Sequence, residues 1–208
     1  MSYSPPPFLQ SDHVSSRTRS ILLRRMEQEQ GRRENLSPEA FQLLETVCDD
    51  ILPQQFLLGD LRLNLAVMID QSLAGSGDGW RFAELPADLQ AWEDGLTSLN
   101  QYAQALFSQN YTALHADQRG VVLDQAFDGT LPEHDQAVFS PEQMALWSGD
   151  LRHNIVSFFL AHPVVQDRLG ISANMTGGDH IIQGFKADSL TDKEGFEPDH
   201  KRHFMAQS

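Results

Sequence analysis

Eight histidines are the first candidates for chemistry: His13, His115, His134, His153, His162, His180, His200 and His203. A di-iron helical bundle needs Glu-x-x-His on two helices, and the nearest approach, Glu133-His134, is adjacent rather than spaced. The zinc-binding His-Glu-x-x-His pattern is absent. His200 and His203 have the spacing of a weak metal pair but read as tail residues. His153 and His162 fall on one long apolar stretch. Either could serve, with a nearby Asp, in a stand-alone helical enzyme. The structural reading of His162 is a ring at the end of its helix, where an N–H or cation suits the dipole. No Gly-x-Ser-x-Gly elbow marks a serine nucleophile. A single cysteine, Cys48, excludes an intrachain disulfide framework, a four-cysteine zinc site and an iron–sulfur cluster. It lies on an apolar stripe with no His or Lys placed to activate it, which makes it a packing residue. Gly75-Ser76-Gly77-Asp78-Gly79 lacks the spacing of a dinucleotide loop and reads as a connector. No catalytic, cofactor-binding or metal-binding set assembles from these residues.

The elements that would position them are helical. Ser37-Pro38-Glu39 combines a capping serine, a proline suited to the first helical position and an acid for the first turn. Phe41, Leu44, Cys48 and Ile51 follow at helical spacing, and Pro53 ends the run. A second helix is expected over about 60–74, a third over about 86–107 and a fourth over about 116–127. The third carries the clearest seam, Leu89, Trp92, Leu96, Leu99, Ala103 and Leu106, with Gly95 inside it. A glycine there costs about 1 kcal/mol against alanine, which suits a close helix crossing. Ser140-Pro141-Glu142 opens a fifth helix whose face is Met144, Trp147, Leu151, Ile155, Phe158, Phe159 and His162, stopped by Pro163. The fold class is therefore all-α, a bundle of about five core helices over 35–163, between irregular arms at 1–34 and 164–208.

Charge divides the chain as well. It carries −14 over 208 residues, yet six of its 15 basic residues are arginines within 1–34, against four acids there. Residues 35–208 are thus at −16, which repels nucleic acid and anionic membrane. Residues 1–34 read as a flexible basic arm, its first fourteen residues extended or disordered around Pro5-Pro6-Pro7, with a short helix possible over 16–30. No apolar run is long enough for direct membrane insertion. Arg24-Arg25 and Arg32-Arg33 are not followed by the apolar stretch of a twin-arginine signal. A cytoplasmic chain is expected, periplasmic only if exported with a signal-bearing partner.

Phe41 to about Pro198 resembles the gluconate 2-dehydrogenase subunit 3 family. The opening helix, FQLLETVCDDILP over 41–53, is similar to that family's apolar start with Cys-Asp and a closing proline. Asn154 to Pro163, NIVSFFLAHP, resembles its Phe-Phe helix, and Gly184-Phe185 its Gly-aromatic pair. The resemblance implies a small subunit without a cofactor of its own and not an enzyme by itself. It implies a partner, a large FAD-containing oxidoreductase subunit of the glucose–methanol–choline type that acts on a sugar, glycoside or polyol. The small subunit would support stability, maturation and often export of the pair. A helical adaptor for an unrelated partner is the other class of reading. Aromatics outside the helical seams are the candidate partner anchors: Trp80, Phe82, Phe139, Phe185 and Phe196, with Phe204 beyond them.

Overall fold

The computed structural model describes residues 4–75, 82–171 and 178–180. They form eight α-helices and no strand: α1 Ser16–Gln28, α2 Pro38–Ile51, α3 Gln55–Leu58, α4 Leu65–Ser72, α5 Asp88–Phe107, α6 Ala116–Asp128, α7 Pro141–Ala161 and α8 Pro163–Leu169. The all-α expectation holds. The chain divides into two compact units, one of Met1–Gln30, Gln55–Arg62 and Phe159–Ser208, the other of Gly31–Gln54 and Leu63–Phe158.

The larger unit holds the expected bundle. α2 packs on α4, α5 and α6, and α5 on α6. Its helix starts follow the capping chemistry of the sequence. The Ser37 hydroxyl accepts the Ala40 N–H at 3.3 Å. Ser140 and Gln143 cap each other, Gln143 N–H to Ser140 Oγ at 3.3 Å and Ser140 N–H to Gln143 Oε1 at 3.1 Å. The expected 60–74 helix is shorter, Leu65–Ser72, because Asn64 caps it through the Val67 N–H at 3.1 Å. Leu44, Val47, Leu96, Leu99, Tyr102, Trp147, Leu151 and Ile155 are buried to 1% exposure or less and form the core. Trp147 stands edge-on to Trp92, ring centroids 6.1 Å apart.

The smaller unit corrects two expectations. Residues 1–34 were expected as a flexible arm, yet Phe8, Leu9, Val14, Leu22 and Met26 bury one another in an apolar cluster, with Leu23 against it. A 3-10 turn at Pro7–Gln10 turns Phe8 and Leu9 inward, so the triple proline starts a turn rather than an extended tail. Arg19 secures that turn by donating to the carbonyls of Leu9 at 2.6 Å, Ser11 at 3.1 Å and Val14 at 3.3 Å. Second, Pro163 does not open an irregular arm. It occupies the first turn of α8, a place where its missing N–H is no loss. α8 packs on α1 and α3, with Pro163, Val164 and Val165 buried.

Candidate functional site

The polar side chains that the fold buries are all engaged in holding segments together. Asp70 is fully buried on α4. Its carboxylate accepts the backbone N–H groups of Glu34, Asn35 and Leu36, the last at 2.7 Å, and the Asn35 amide donates back to the Asp70 carbonyl at 2.7 Å. Three N–H donors converge on one buried charge and satisfy it. Next in the chain, Ser37 donates its N–H and its hydroxyl to the Glu93 carboxylate on α5, the hydroxyl at 2.9 Å. These two carboxylates fix the entry to α2.

A second cluster closes the other end of α2. Arg119 grips Asp50 with both arms of its fork, Nε to Oδ2 at 2.8 Å and Nη2 to Oδ1 at 2.9 Å, and donates to the Leu114 carbonyl at 2.7 Å. The buried Tyr111 hydroxyl donates to Asp50 Oδ2 at 2.9 Å. Burial, and then the Asp50 charge, push the Tyr111 phenol above its ordinary value, while the hydrogen bond to Asp50 holds Arg119 more firmly protonated. A tyrosine shifted that way is a hydrogen-bond donor and not a general base at neutral pH. A cleft of about 360 Å³ lies between α2 and α5, lined by Leu43 and Leu96 as well as by Gln42, Asn100, Gln104 and Asn110. Gln104 donates to Asn110 Oδ1 at 2.6 Å, and Asn100 accepts the Tyr111 N–H at 2.9 Å, so two of its amides shape the adjoining loop.

The histidines separate by environment. His153 is exposed on α7, its Nε2 3.4 Å from Ser157 Oγ one turn on. Asp150 lies one turn back on the same face, and burial raises its carboxyl above the usual range despite the neighbouring His153. Asp150, His153 and Ser157 thus share one helix stripe, at a spacing already present in the sequence. The stripe faces water, which leaves a serine there without the preorganised, dry surroundings that an acyl-transfer site requires. His162 is instead fully buried. It directly follows the last residue of α7, as expected, but the expected role of its ring is corrected: it caps the start of α8, where Nδ1 accepts the Val164 N–H at 3.3 Å. Nε2 then carries the proton and faces Glu29 Oε2 at 3.8 Å. Burial lowers its pKa to about 4, so at neutral pH it is an uncharged cap. Among the described residues no group of three or more His, Cys, Asp or Glu side chains is placed to hold a metal ion.

Of the expected partner anchors, Trp80, Phe185, Phe196 and Phe204 lie outside the described residues. Phe82 is half-buried. Phe139 is corrected from a surface anchor to a core residue at 2% exposure. Its N–H donates to Ser98 Oγ at 2.8 Å and its carbonyl accepts the Tyr102 hydroxyl at 3.0 Å; a loop aromatic pinned at both backbone groups packs locally. No local pattern marks Asp70, whose donors lie more than 30 positions away in a segment without periodicity. No helix among the described residues is long and apolar enough to cross a membrane.

No curated protein and no solved structure matches the chain. A family model does, that of gluconate 2-dehydrogenase subunit 3, over residues 38–178. The matched region takes in α2 through α8, including the carboxylates Asp50, Asp70 and Glu93 and the Phe158-Phe159 helix, while residues 34–37, which donate to Asp70 and Glu93, lie just before it. With most of its length covered, the chain belongs to the gluconate 2-dehydrogenase subunit 3 family.

Proposed function

We propose that the chain is the non-catalytic small subunit of a FAD-dependent oxidoreductase complex. It binds a large subunit of the glucose–methanol–choline type, which oxidises a sugar, glycoside or polyol, and it stabilises or matures that subunit. The observation that carries this reading is the family match over residues 38–178. The described polar clusters agree with it, because Asp50, Asp70, Glu93, Tyr111 and Arg119 spend their hydrogen bonds on helix placement. The flavin is assigned to the partner. This chain's glycine-rich stretch begins just after helix α4, not after a strand, and lacks the spacing that cradles a pyrophosphate. The complex works in the cytoplasm, or in the periplasm if the partner brings the export signal.

The test is purification of the tagged chain from its native host, with an absorption spectrum and mass spectrometry of the eluate. A flavin spectrum that travels with a second, larger polypeptide is the expected result. A flavin spectrum from the chain alone, or sugar oxidation by the chain alone that is abolished by His153→Ala, would replace the subunit reading with that of a stand-alone enzyme.

A further inference from the structure

Helix α1 contains four arginines and one glutamate, a net of +3, and no other described helix has a net positive charge. The larger unit holds 18 acidic and five basic residues, −13 in all. The arginines of the first 34 residues fall into two groups. Arg19, Arg25 and Arg33 serve the fold: Arg19 binds the carbonyls of the first turn, Arg25 donates to the Ala161 carbonyl at 3.2 Å, and Arg33 binds the Leu36 carbonyl. Arg17 and Arg24 are exposed and bond to no described residue. Ile21, between them, is 43% exposed. Positions 17, 21 and 24 are spaced four and three apart, so they form one stripe along the outer face of α1. The Cα atoms of the two arginines stand about 10 Å apart along the helix axis. The inner face of the same helix, Leu22 and Met26, is committed to the apolar cluster.

We infer that the Arg17–Ile21–Arg24 stripe is the surface by which this chain docks on its large subunit, against carboxylates that flank a small apolar recess. This rests on the subunit reading above. Charge complementarity selects the occupant. A guanidinium pair flanking an apolar side chain matches planar carboxylates on either side of a shallow pocket. A second copy of this chain also offers carboxylates, but bringing −14 against −14 opposes that association. The stripe therefore orients a strongly acidic subunit on an acidic partner surface that the rest of the molecule would repel.

The experiment compares tagged full-length chains expressed in the native host. Flavin fluorescence of the eluate is measured per mole of chain, with the large subunit identified by mass, at roughly 50 and 500 mM salt. Arg17→Glu/Arg24→Glu is expected to lower retained flavin about tenfold with the melting temperature unchanged, Ile21→Ser to lower it less, and Arg17→Lys/Arg24→Lys to stay within about threefold of wild type. Wild-type retention should weaken at the higher salt. If the glutamate pair fails to fold, Arg17→Gln/Arg24→Gln is read the same way. Flavin retained at wild-type level by a folded reversal variant overturns the stripe and leaves the subunit reading standing. So does a variant that loses only self-association in sedimentation, which would make a second copy the occupant. A wild-type chain that retains no flavoprotein takes down both.

Discussion

Gly95 faces Trp147 so closely that a β-carbon built on it would stand 2.2 Å from ring atom Cε2. Helix propensity alone favours Gly95→Ala by about 1 kcal/mol, but overpacking a filled site costs about 1–3 kcal/mol. The substitution is therefore expected to destabilise the protein, and Trp147→Leu in the same chain to recover part of the loss, both read from urea midpoints. Asp70 gives a second residue-scale prediction. Asp70→Ala strands three backbone donors, two of them on the partly exposed residues 34 and 35, and should cost about 2–4 kcal/mol. An unchanged urea midpoint would show that water replaces the carboxylate. His162 gives a pH dependence. Its folded pKa of about 4 lies below the ~6.5 of an unfolded histidine. The unfolded chain thus binds the proton more readily between those values. The neutral cap contributes fully above about pH 6.5, and stability falls as the pH drops toward 4, by up to about 3 kcal/mol from this group. Glu29, the acidic group that faces the ring from the C-cap of α1, favours the cation, and burial outweighs it. His162→Asn keeps a capping side chain without the titration, so its melting temperature should fall less between pH 7 and pH 5 than that of wild type.

At the scale of the element, α7 is the most legible helix. Met144, Trp147, Leu151, Ile155 and Phe159 are all buried, as their spacing requires, while Phe158 is half-buried. Phe159→Ala is expected to cost about 3–5 kcal/mol and Phe158→Ala distinctly less, measured by thermal melts of the two variants. The Ser-Pro-Glu starts of α2 and α7 were readable because capping is local chemistry, completed within four residues. Pro163 was misleading for a physical reason: a proline that cannot continue one helix is equally suited to begin the next. The four-residue α3 carries too few apolar positions to show a period. The cluster of Phe8, Leu9, Val14, Leu22 and Met26 has no period either, since its members come from a turn, a loop and a helix that fold over one another. Asp50 and Arg119 are 69 positions apart, so their pairing was visible only once α2 and α6 were packed.

At the scale of the whole molecule, the two units make different demands on the chain. The larger has its own core and its own caps, whereas the smaller draws on three separated stretches. Deletion of residues 1–30 removes the apolar cluster and the Arg25 bond to the last residue of α7. Hydrogen exchange is then expected to rise across 159–171 and to stay slow across α2, α5 and the first half of α7; loss of protection in all of them would mean that the larger unit does not stand alone. The stitch that closes the smaller unit is specific. A β-carbon on Gly178 would stand 1.9 Å from the Asp12 carbonyl oxygen, and the Asp179 carboxylate accepts the Ser16 N–H at 3.0–3.1 Å, capping α1 across 163 positions. During synthesis at roughly 5–20 residues per second, α1 leaves the ribosome about 8–30 seconds before the residue that caps it. For that interval Leu22 and Met26 have Phe8, Leu9 and Val14 to pack against, but α8 and Asp179 have not yet been made, so α1 is synthesised long before it is completed.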